Sequence, residues 1–181
     1  MNAKAVKTGL ITVAIALGAY WYYSPYLAMS SMQTAAQNND ADTVNEHVDY
    51  PKLRESLKGQ MSAMMTERLG KASSTGAEAI GAALGMAMVH QFVEAFVRPE
   101  SVMQAMKSGK LDPKASEGSP AQEGNAKKPD WTVERKGTDK VIAYARDPEA
   151  AASTRAVGLV FERYGFAQWK LTEIRMPAQS E

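Results

Sequence analysis

The sequence predicts an α+β protein: an N-terminal transmembrane helix, then several helices packed on one face of a four-stranded antiparallel sheet. Two observations predict this fold class. Apolar residues recur at helical spacing in the first part of the chain, and after Trp131 they alternate with polar residues as in strands. Helices that precede strands along a chain favour an antiparallel sheet that is covered on one face.

The chain of 181 residues divides into one exported domain and its attachment to a membrane. Residues 1–25 are the membrane anchor or signal segment, and residues 26–108 are the helical part of the domain. Residues 109–129 are rich in glycine and proline and poor in apolar residues, which predicts a flexible polar loop. Residues 130–177 form the antiparallel sheet of the same domain, and residues 178–181 are a tail.

The anchor is predicted from the order of charges, apolar residues and aromatic rings. Lys4 and Lys7 precede an uncharged run over residues 8–32, and the aromatic residues 20–23 lie within that run. Lysines on the inner side and aromatic rings at the outer headgroups are typical of a membrane span. We therefore expect a single-pass protein of the bacterial inner membrane, with its C-terminal domain in the periplasm.

A cleaved signal peptide is the alternative to a permanent anchor. Ala16 and Gly18 provide small residues at the spacing of a cleavage site. Residues 8–23 would span about 24 Å as a helix at about 1.5 Å per residue, against about 30 Å of hydrocarbon. Both interpretations export the rest of the chain.

Start signals divide the helical part into several helices. Ser24 and Pro25 can begin a new helix as N-cap and first-turn proline, although a helix continuing through Pro25 would lengthen the span. Asp40 can cap a short helix over residues 41–47. Residues 49–51 begin a further helix, whose apolar stripe contains Leu53, Leu57, Met61, Met64, Met65 and Leu69.

The remaining helices are predicted around a loop at residues 71–76. A helix over residues 77–97 contains Gly81 and Gly85 one turn apart, where another backbone can approach closely. A shorter helix covers residues 100–107.

Four strands are predicted, with hairpin turns at residues 136–139 and 164–165. Ile174 is out of phase with Trp169 and Leu171, which indicates either a bulge near residues 172–173 or a strand end that is apolar on its second face. The strands are residues 131–136, 140–146, 154–164 and 167–176.

The sequence assigns no catalytic residue and no metal ligand, predicts no cofactor, and identifies no cofactor-binding residue. His47 lies near three acidic residues but at no established ligand spacing, and His90 is interpreted as a structural histidine without a visible nucleophile. Met61, Met64 and Met65 are interpreted as core residues and not as a site for reduced copper. Six basic residues are interpreted as solvated surface: Arg54, Lys58, Arg155, Arg163, Lys170 and Arg175.

Composition and motifs argue against several classes of function. The formal net charge is +1, so no nucleic-acid partner is expected, and the lack of cysteine excludes thiol chemistry. No phosphate-binding loop, nucleophile elbow or zinc-protease motif is present. Enzymatic activity is therefore not expected, although a carboxylate-based activity stays open.

Four segments stand out as a set: Ser24-Pro25-Tyr26 and residues 48–58, 96–100 and 169–177. In these segments the sequence resembles a bacterial family, domain of unknown function 2939. The resemblance implies an exported, membrane-linked protein of Gram-negative bacteria, and it implies no activity and no catalytic residues.

The first functional hypothesis is a tethered, non-enzymatic periplasmic domain that binds another envelope protein or helps to assemble one. The alternative is a module that binds a lipid or small apolar molecule between the sheet and the helix over residues 77–97. His90, Tyr144 and Trp169 are its candidate polar groups. A third hypothesis, an unrecognised hydrolase, would require a cleft with paired titratable groups.

Overall fold

A computed structural model of the chain describes residues 3–71, 85, 88–94, 96–108, 130–146 and 157–175. In these ranges the fold is α+β, as predicted, with five helices and a four-stranded antiparallel sheet. The helices are α1 (Ala3–Gln37), α2 (Ala41–Glu46), α3 (Tyr50–Lys71), α4 (residues 88–94) and α5 (Pro99–Ser108). The strands are β1 (Asp130–Lys136), β2 (Lys140–Arg146), β3 (Gly158–Tyr164) and β4 (Gln168–Arg175).

Several predicted segments lie outside the described residues. They are the polar loop over residues 109–129, most of the loop over residues 71–76, the first part of the helix over residues 77–97, and the tail. Nothing in the fold tests these predictions.

The helix α1 runs without interruption through Pro25, so the predicted new helix start at Ser24 and Pro25 is wrong. A proline inside a helix has no N–H for the carbonyl four residues earlier, which here is that of Trp21. The Ser24 hydroxyl donates a hydrogen bond of 2.8 Å to this carbonyl instead. The side chain therefore replaces the missing backbone bond, and the helix continues.

The predicted starts of α2 and α3 are confirmed. The Asp40 carboxylate accepts a hydrogen bond from the Thr43 N–H at 3.1 Å, and the Asp49 carboxylate accepts one from the Lys52 N–H at 3.1 Å. Each carboxylate satisfies a backbone donor that the first turn of a helix leaves unpaired. From α3, Leu53 and Leu57 are buried in the core.

The close neighbour of Gly85 is a side chain and not the backbone that its spacing with Gly81 predicted. A methyl group built on Gly85 would lie 1.7 Å from Cε of Met65 in α3. The described contact is therefore between the flexible end of Met65 and a bare backbone, and Gly81 lies outside the described residues.

The sheet is a simple meander in the order β1-β2-β3-β4. Gly137 and Gly165, with φ of 79° and 77°, supply the left-handed conformation that the two predicted hairpin turns need. The edge of β4 is covered, because Val48 forms a parallel bridge with Leu171 and the Gln60 amide donates to the Ile174 carbonyl at 2.8 Å.

The change of phase in β4 is a bulge, the first of the two predicted explanations. Leu171 pairs with Phe161 and Glu173 pairs with Val160, so Thr172 is an extra residue. A bulge shifts the alternation of side chains by one residue. Trp169 and Leu171 before it and Ile174 after it consequently all reach the core.

The core lies between the sheet and the helices, and all five helices contribute to it. Met32 and Ala36 of α1, Leu53 of α3 and Val102 of α5 are at most 1 % exposed and belong to the same buried cluster as Phe161 from the sheet. None of the helices in the described ranges is both long enough and apolar enough to cross a membrane.

Candidate functional site

The outer half of α1, residues 6–20, is exposed along its whole length. Alanine, glycine and threonine residues separate its large apolar residues, which at about 3.6 residues per turn point to several sides of the helix. Five of them are more than half exposed: Leu10, Ile11, Val13, Ile15 and Leu17. The inner half of α1, residues 24–36, differs because Met29, Met32 and Ala36 are buried on one side. The helix α1 therefore joins a folded domain to an exposed apolar helical segment.

Where the two halves meet, Arg163 of β3 is held between two tryptophans. Its guanidinium carbon lies 4.1 Å from the ring centroid of Trp21 in α1 and 4.4 Å from that of Trp169 in β4. The antiparallel register places Arg163 directly opposite Trp169, and the Arg163 side chain is only 7 % exposed. A desolvated cation over an aromatic face is worth up to about 2 kcal/mol.

The N–H groups of Arg163 bind both hairpin turns. They donate to the Phe166 carbonyl at 2.6 Å and to the Thr138 carbonyl at 3.1 and 3.2 Å, and Asp139 lies 3.4 Å away. Burial lowers the pKa of Arg163 and the nearby Asp139 opposes this, but an arginine remains protonated in proteins. Arg163 therefore fixes the turns of the sheet against α1.

Trp169 and Arg135 make two further links between the sheet and α1. The Trp169 indole donates to the Ser24 hydroxyl at 2.8 Å, and that hydroxyl in turn donates to the Trp21 carbonyl. Arg135 of β1 donates to the Tyr22 carbonyl at 2.6 Å and lies 4.6 Å from the Tyr22 ring centroid. We call these residues the helix–sheet joint: Trp21, Tyr22, Ser24, Arg135, Arg163 and Trp169.

A second polar cluster joins the start of α3 to the sheet. Tyr164 donates a short hydrogen bond to the Asp49 carboxylate, and Lys52 lies 3.0 Å from Glu162. Burial acts to raise the pKa of Asp49, but the hydrogen bonds from Tyr164 and the Lys52 N–H and the charges of two lysines outweigh it, so that pKa is lowered. Every group named here is paired within the cluster, which indicates a structural role.

The two histidines have separate, local surroundings. Nδ1 of half-buried His47 lies 2.9 Å from the Thr43 carbonyl oxygen, and Nε2 of exposed His90 lies 3.1 Å from the Lys58 ammonium. Within the described ranges, no group of three or more histidine, cysteine or acidic side chains could hold a metal ion. Of the three methionines of α3, Met61 and Met65 pack against the core.

The three candidate ligand-binding residues do not share contacts. His90 meets Lys58, Tyr144 lies against Gly158, and Trp169 is buried against Ser24. An open groove of about 300 Å³ instead lies along α1 and α2. Its lining is Ser30, Ser31, Thr34, Ala35, Asn38, Asp40 and Thr43.

The interpretation of Arg163 as a solvated surface residue is wrong, since its side chain is buried between two tryptophans. The predicted turn at residues 164–165 would pair Arg163 with Phe166, because residues on either side of a turn pair in order. The observed turn covers residues 165–167 and places Arg163 opposite Trp169 instead. The contribution of Trp21 could not be inferred, because no sequence pattern indicates where α1 crosses the sheet.

The fold and the helix–sheet joint define the class of protein. It is an α+β domain whose first helix extends beyond the domain as an exposed apolar segment, residues 6–20. The chain belongs to the family described as protein of unknown function (DUF2939), whose model matches residues 13–105. The matched range contains three of the four resembling segments and ends before the sheet. No curated protein and no solved structure matches the chain.

Proposed function

We propose that this chain is a membrane-anchored domain of the bacterial envelope that binds, or helps to assemble, another envelope protein and is not an enzyme. The observation that carries the anchoring is the outer half of α1, residues 6–20, which is apolar on nearly all sides and exposed. A helix that is apolar all round is stable only in an apolar environment. A lipid bilayer would supply that environment.

The proposed orientation places the N-terminus in the cytoplasm and the folded part in the periplasm. Lys7 lies at one end of the apolar segment and Tyr20, Tyr22 and Tyr23 lie at the other, each at least half exposed. Residues 6–23 extend about 27 Å at about 1.5 Å per residue, slightly less than the hydrocarbon thickness of about 30 Å. The shortness of this segment makes the crossing itself the step to test.

Cysteine accessibility in whole cells tests the crossing, because the chain has no cysteine of its own. The variants Lys7→Cys and Glu55→Cys replace exposed residues on the two proposed sides. A membrane-impermeant maleimide is expected to modify Glu55→Cys in intact cells and Lys7→Cys only after lysis. Equal labelling of both, or of neither, in intact cells would contradict the proposed topology.

The mass of the purified protein separates the anchor from a cleaved signal peptide. An anchor predicts a chain that keeps residues 1–18, whereas cleavage near Gly18 removes them. In either case the folded part would be exported.

The support for a protein partner is an exposed apolar ridge on α4. Met88 is 70 % exposed and Phe92, one turn further, is 41 % exposed, and the Phe92 and Phe96 ring centroids are 4.2 Å apart. Apolar side chains that line up on one exposed face are typical of a surface that a partner covers. Tethering would raise the concentration of this ridge near other proteins of the same membrane.

Photo-crosslinking in cells tests the ridge. A photoreactive amino acid at Met88 is expected to give a defined adduct with another protein, while the same probe at exposed Glu55 gives none. Adding Phe92→Asp should strongly reduce the Met88 adduct if the ridge binds the partner. Adducts of equal yield at both positions would indicate random collisions and contradict the proposal.

Ligand binding is the weaker candidate, because its three predicted residues contact different groups. Native mass spectrometry of the full chain in detergent separates the two functions. A co-purifying small molecule would favour the ligand-binding module, and a clean mass of the chain alone would favour the tethered binding domain.

A further inference from the structure

The tip of the β3–β4 hairpin lies at the level where the outer half of α1 leaves the domain. Arg163 establishes this position, since its guanidinium carbon is 4.1 Å from the Trp21 ring centroid and one of its nitrogens is 2.6 Å from the Phe166 carbonyl oxygen. The backbone of Phe166 is therefore separated from the Trp21 ring by little more than one guanidinium group.

Phe166 presents a large apolar side chain at this tip. The side chain is 60 % exposed although its backbone is fixed by Arg163. A single exposed apolar residue needs no explanation by itself. The position of Phe166 does need an explanation, because the exposed rings of Tyr20, Tyr22 and Tyr23 surround α1 at the level of this hairpin tip.

We propose that the β3–β4 hairpin is a second membrane contact, with Phe166 inserted at the boundary between lipid headgroups and acyl chains. The inference rests on the proposed membrane anchoring of residues 6–20. If those residues lie in the bilayer, Trp21 lies at its surface, and the bonds of Arg163 hold Phe166 at the same depth. Apolar side chains at this boundary enter about 5–10 Å below the headgroups.

Arg163 binds both hairpin turns at this level, so their exposed side chains decide which of the two can insert. The β1–β2 turn presents Thr138 and Asp139, and the Asp139 side chain is 74 % exposed. An anionic carboxylate is poorly suited to a surface rich in anionic lipid. The β3–β4 turn consists of Gly165, Phe166 and Ala167, which carry no charge. Contact through this turn and α1 would fix how the domain is oriented over the membrane.

The test measures the depth of single fluorophores on the full chain in vesicles of phosphatidylethanolamine and phosphatidylglycerol. The environment-sensitive dye NBD is attached to Leu17→Cys, Phe166→Cys or Asn38→Cys, three exposed positions of a chain without cysteine. Asn38 is the matched control, because it follows Trp21 by about 25 Å along α1 at about 1.5 Å per residue. Quenching by nitroxide-labelled phospholipids reports the depth of each dye.

The proposal expects blue-shifted emission and strong lipid quenching at positions 17 and 166, and neither at position 38. A lipid-exposed dye at 17 with a water-exposed dye at 166 would overturn the hairpin contact and leave the anchor intact. Water-exposed dyes at both positions would overturn the anchor and, with it, the hairpin contact. Circular dichroism of each labelled variant verifies that the fold is unchanged.

Discussion

The two halves of α1 belong to one helix but relate to their surroundings in opposite ways. In the inner half the buried residues Met29, Met32 and Ala36 lie on one side, and the other side is exposed. In the outer half, residues 6–20, apolar side chains lie on nearly every side and none is covered. Helix formation is local, but burial depends on what surrounds the helix.

The helix–sheet joint marks the boundary between these two environments. Arg163, Trp169 and Ser24 hold the helix where its buried apolar stripe ends and its exposed apolar part begins. Four comparisons test this description of the fold, and they are ordered from the largest expected loss of stability to the smallest.

Truncating one apolar side chain in each half should give very different losses of stability. Met32→Ala removes a fully buried side chain and should lower the free energy of unfolding by about 2–5 kcal/mol. Leu17→Ala alters a side chain that is 52 % exposed and should change that free energy by less than about 0.5 kcal/mol. Urea denaturation in detergent micelles, followed by tryptophan fluorescence, measures both. Equal losses in the free energy of unfolding would contradict the distinction between a buried inner half and an exposed outer half of α1.

Removing the arginine of the joint should be the next most costly change. Arg163→Ala abolishes two stacking contacts and the bonds to two turn carbonyls, and we expect a loss of about 3 kcal/mol in the free energy of unfolding. The control is Arg54→Ala, which breaks a partly exposed 3.1 Å ion pair with Glu94 and a 5.9 Å contact with the Tyr50 ring and should cost about 1 kcal/mol or less. The same denaturation experiment compares them, and a loss at Arg163 no larger than at Arg54 would contradict the assigned role.

The serine that replaces the missing backbone bond should show coupling with the proline. Ser24→Ala removes the partner of both the Trp21 carbonyl and the Trp169 indole N–H and should cost about 1–3 kcal/mol in the free energy of unfolding. In a chain that also carries Pro25→Ala, the new N–H can pair with that carbonyl, so the cost of Ser24→Ala should be smaller. A double-mutant cycle measures the coupling, and additive free energies would show that Ser24 does not substitute for the backbone.

The polar cluster at α3 should contribute a small, pH-dependent stability. The pKa of Asp49 is lowered in the folded chain, so its contribution is complete above about pH 4, the unfolded pKa, and is lost as the pH falls through the folded pKa. Asp49→Asn can still cap the helix but cannot titrate. Denaturation midpoints from pH 6 to pH 3 should fall less steeply for Asp49→Asn than for the unaltered chain, and parallel curves would exclude the effect.

Much of the fold could be predicted because its signals are local. Asp40 and Asp49 cap helices through contacts within three residues, and Gly137 and Gly165 form hairpin turns. The bulge at Thr172 was one of two predicted alternatives, because an interrupted alternation leaves few explanations.

The joint could be predicted only in part, because it depends on contacts distant in sequence. The continuation of α1 through Pro25 is supported by Ser24, whose hydroxyl also accepts the hydrogen bond of Trp169, 145 residues away. The burial of Arg163 likewise needs Trp21 from α1. No periodicity in the sequence specifies which residues of a helix meet which turns of a sheet.

Flotation of the purified full chain with lipid vesicles tests whether the outer half of α1 enters a lipid bilayer. The comparison is between the unaltered chain and Ile11→Asp/Ile15→Asp, since each aspartate in a bilayer costs about 2.5–3.5 kcal/mol. We expect the unaltered chain to float with the vesicles and the variant, folded to the same degree by circular dichroism, to stay at the bottom of the gradient. An unaltered chain that stays at the bottom, or a variant that floats equally well, would contradict the membrane as the environment of the outer half of α1.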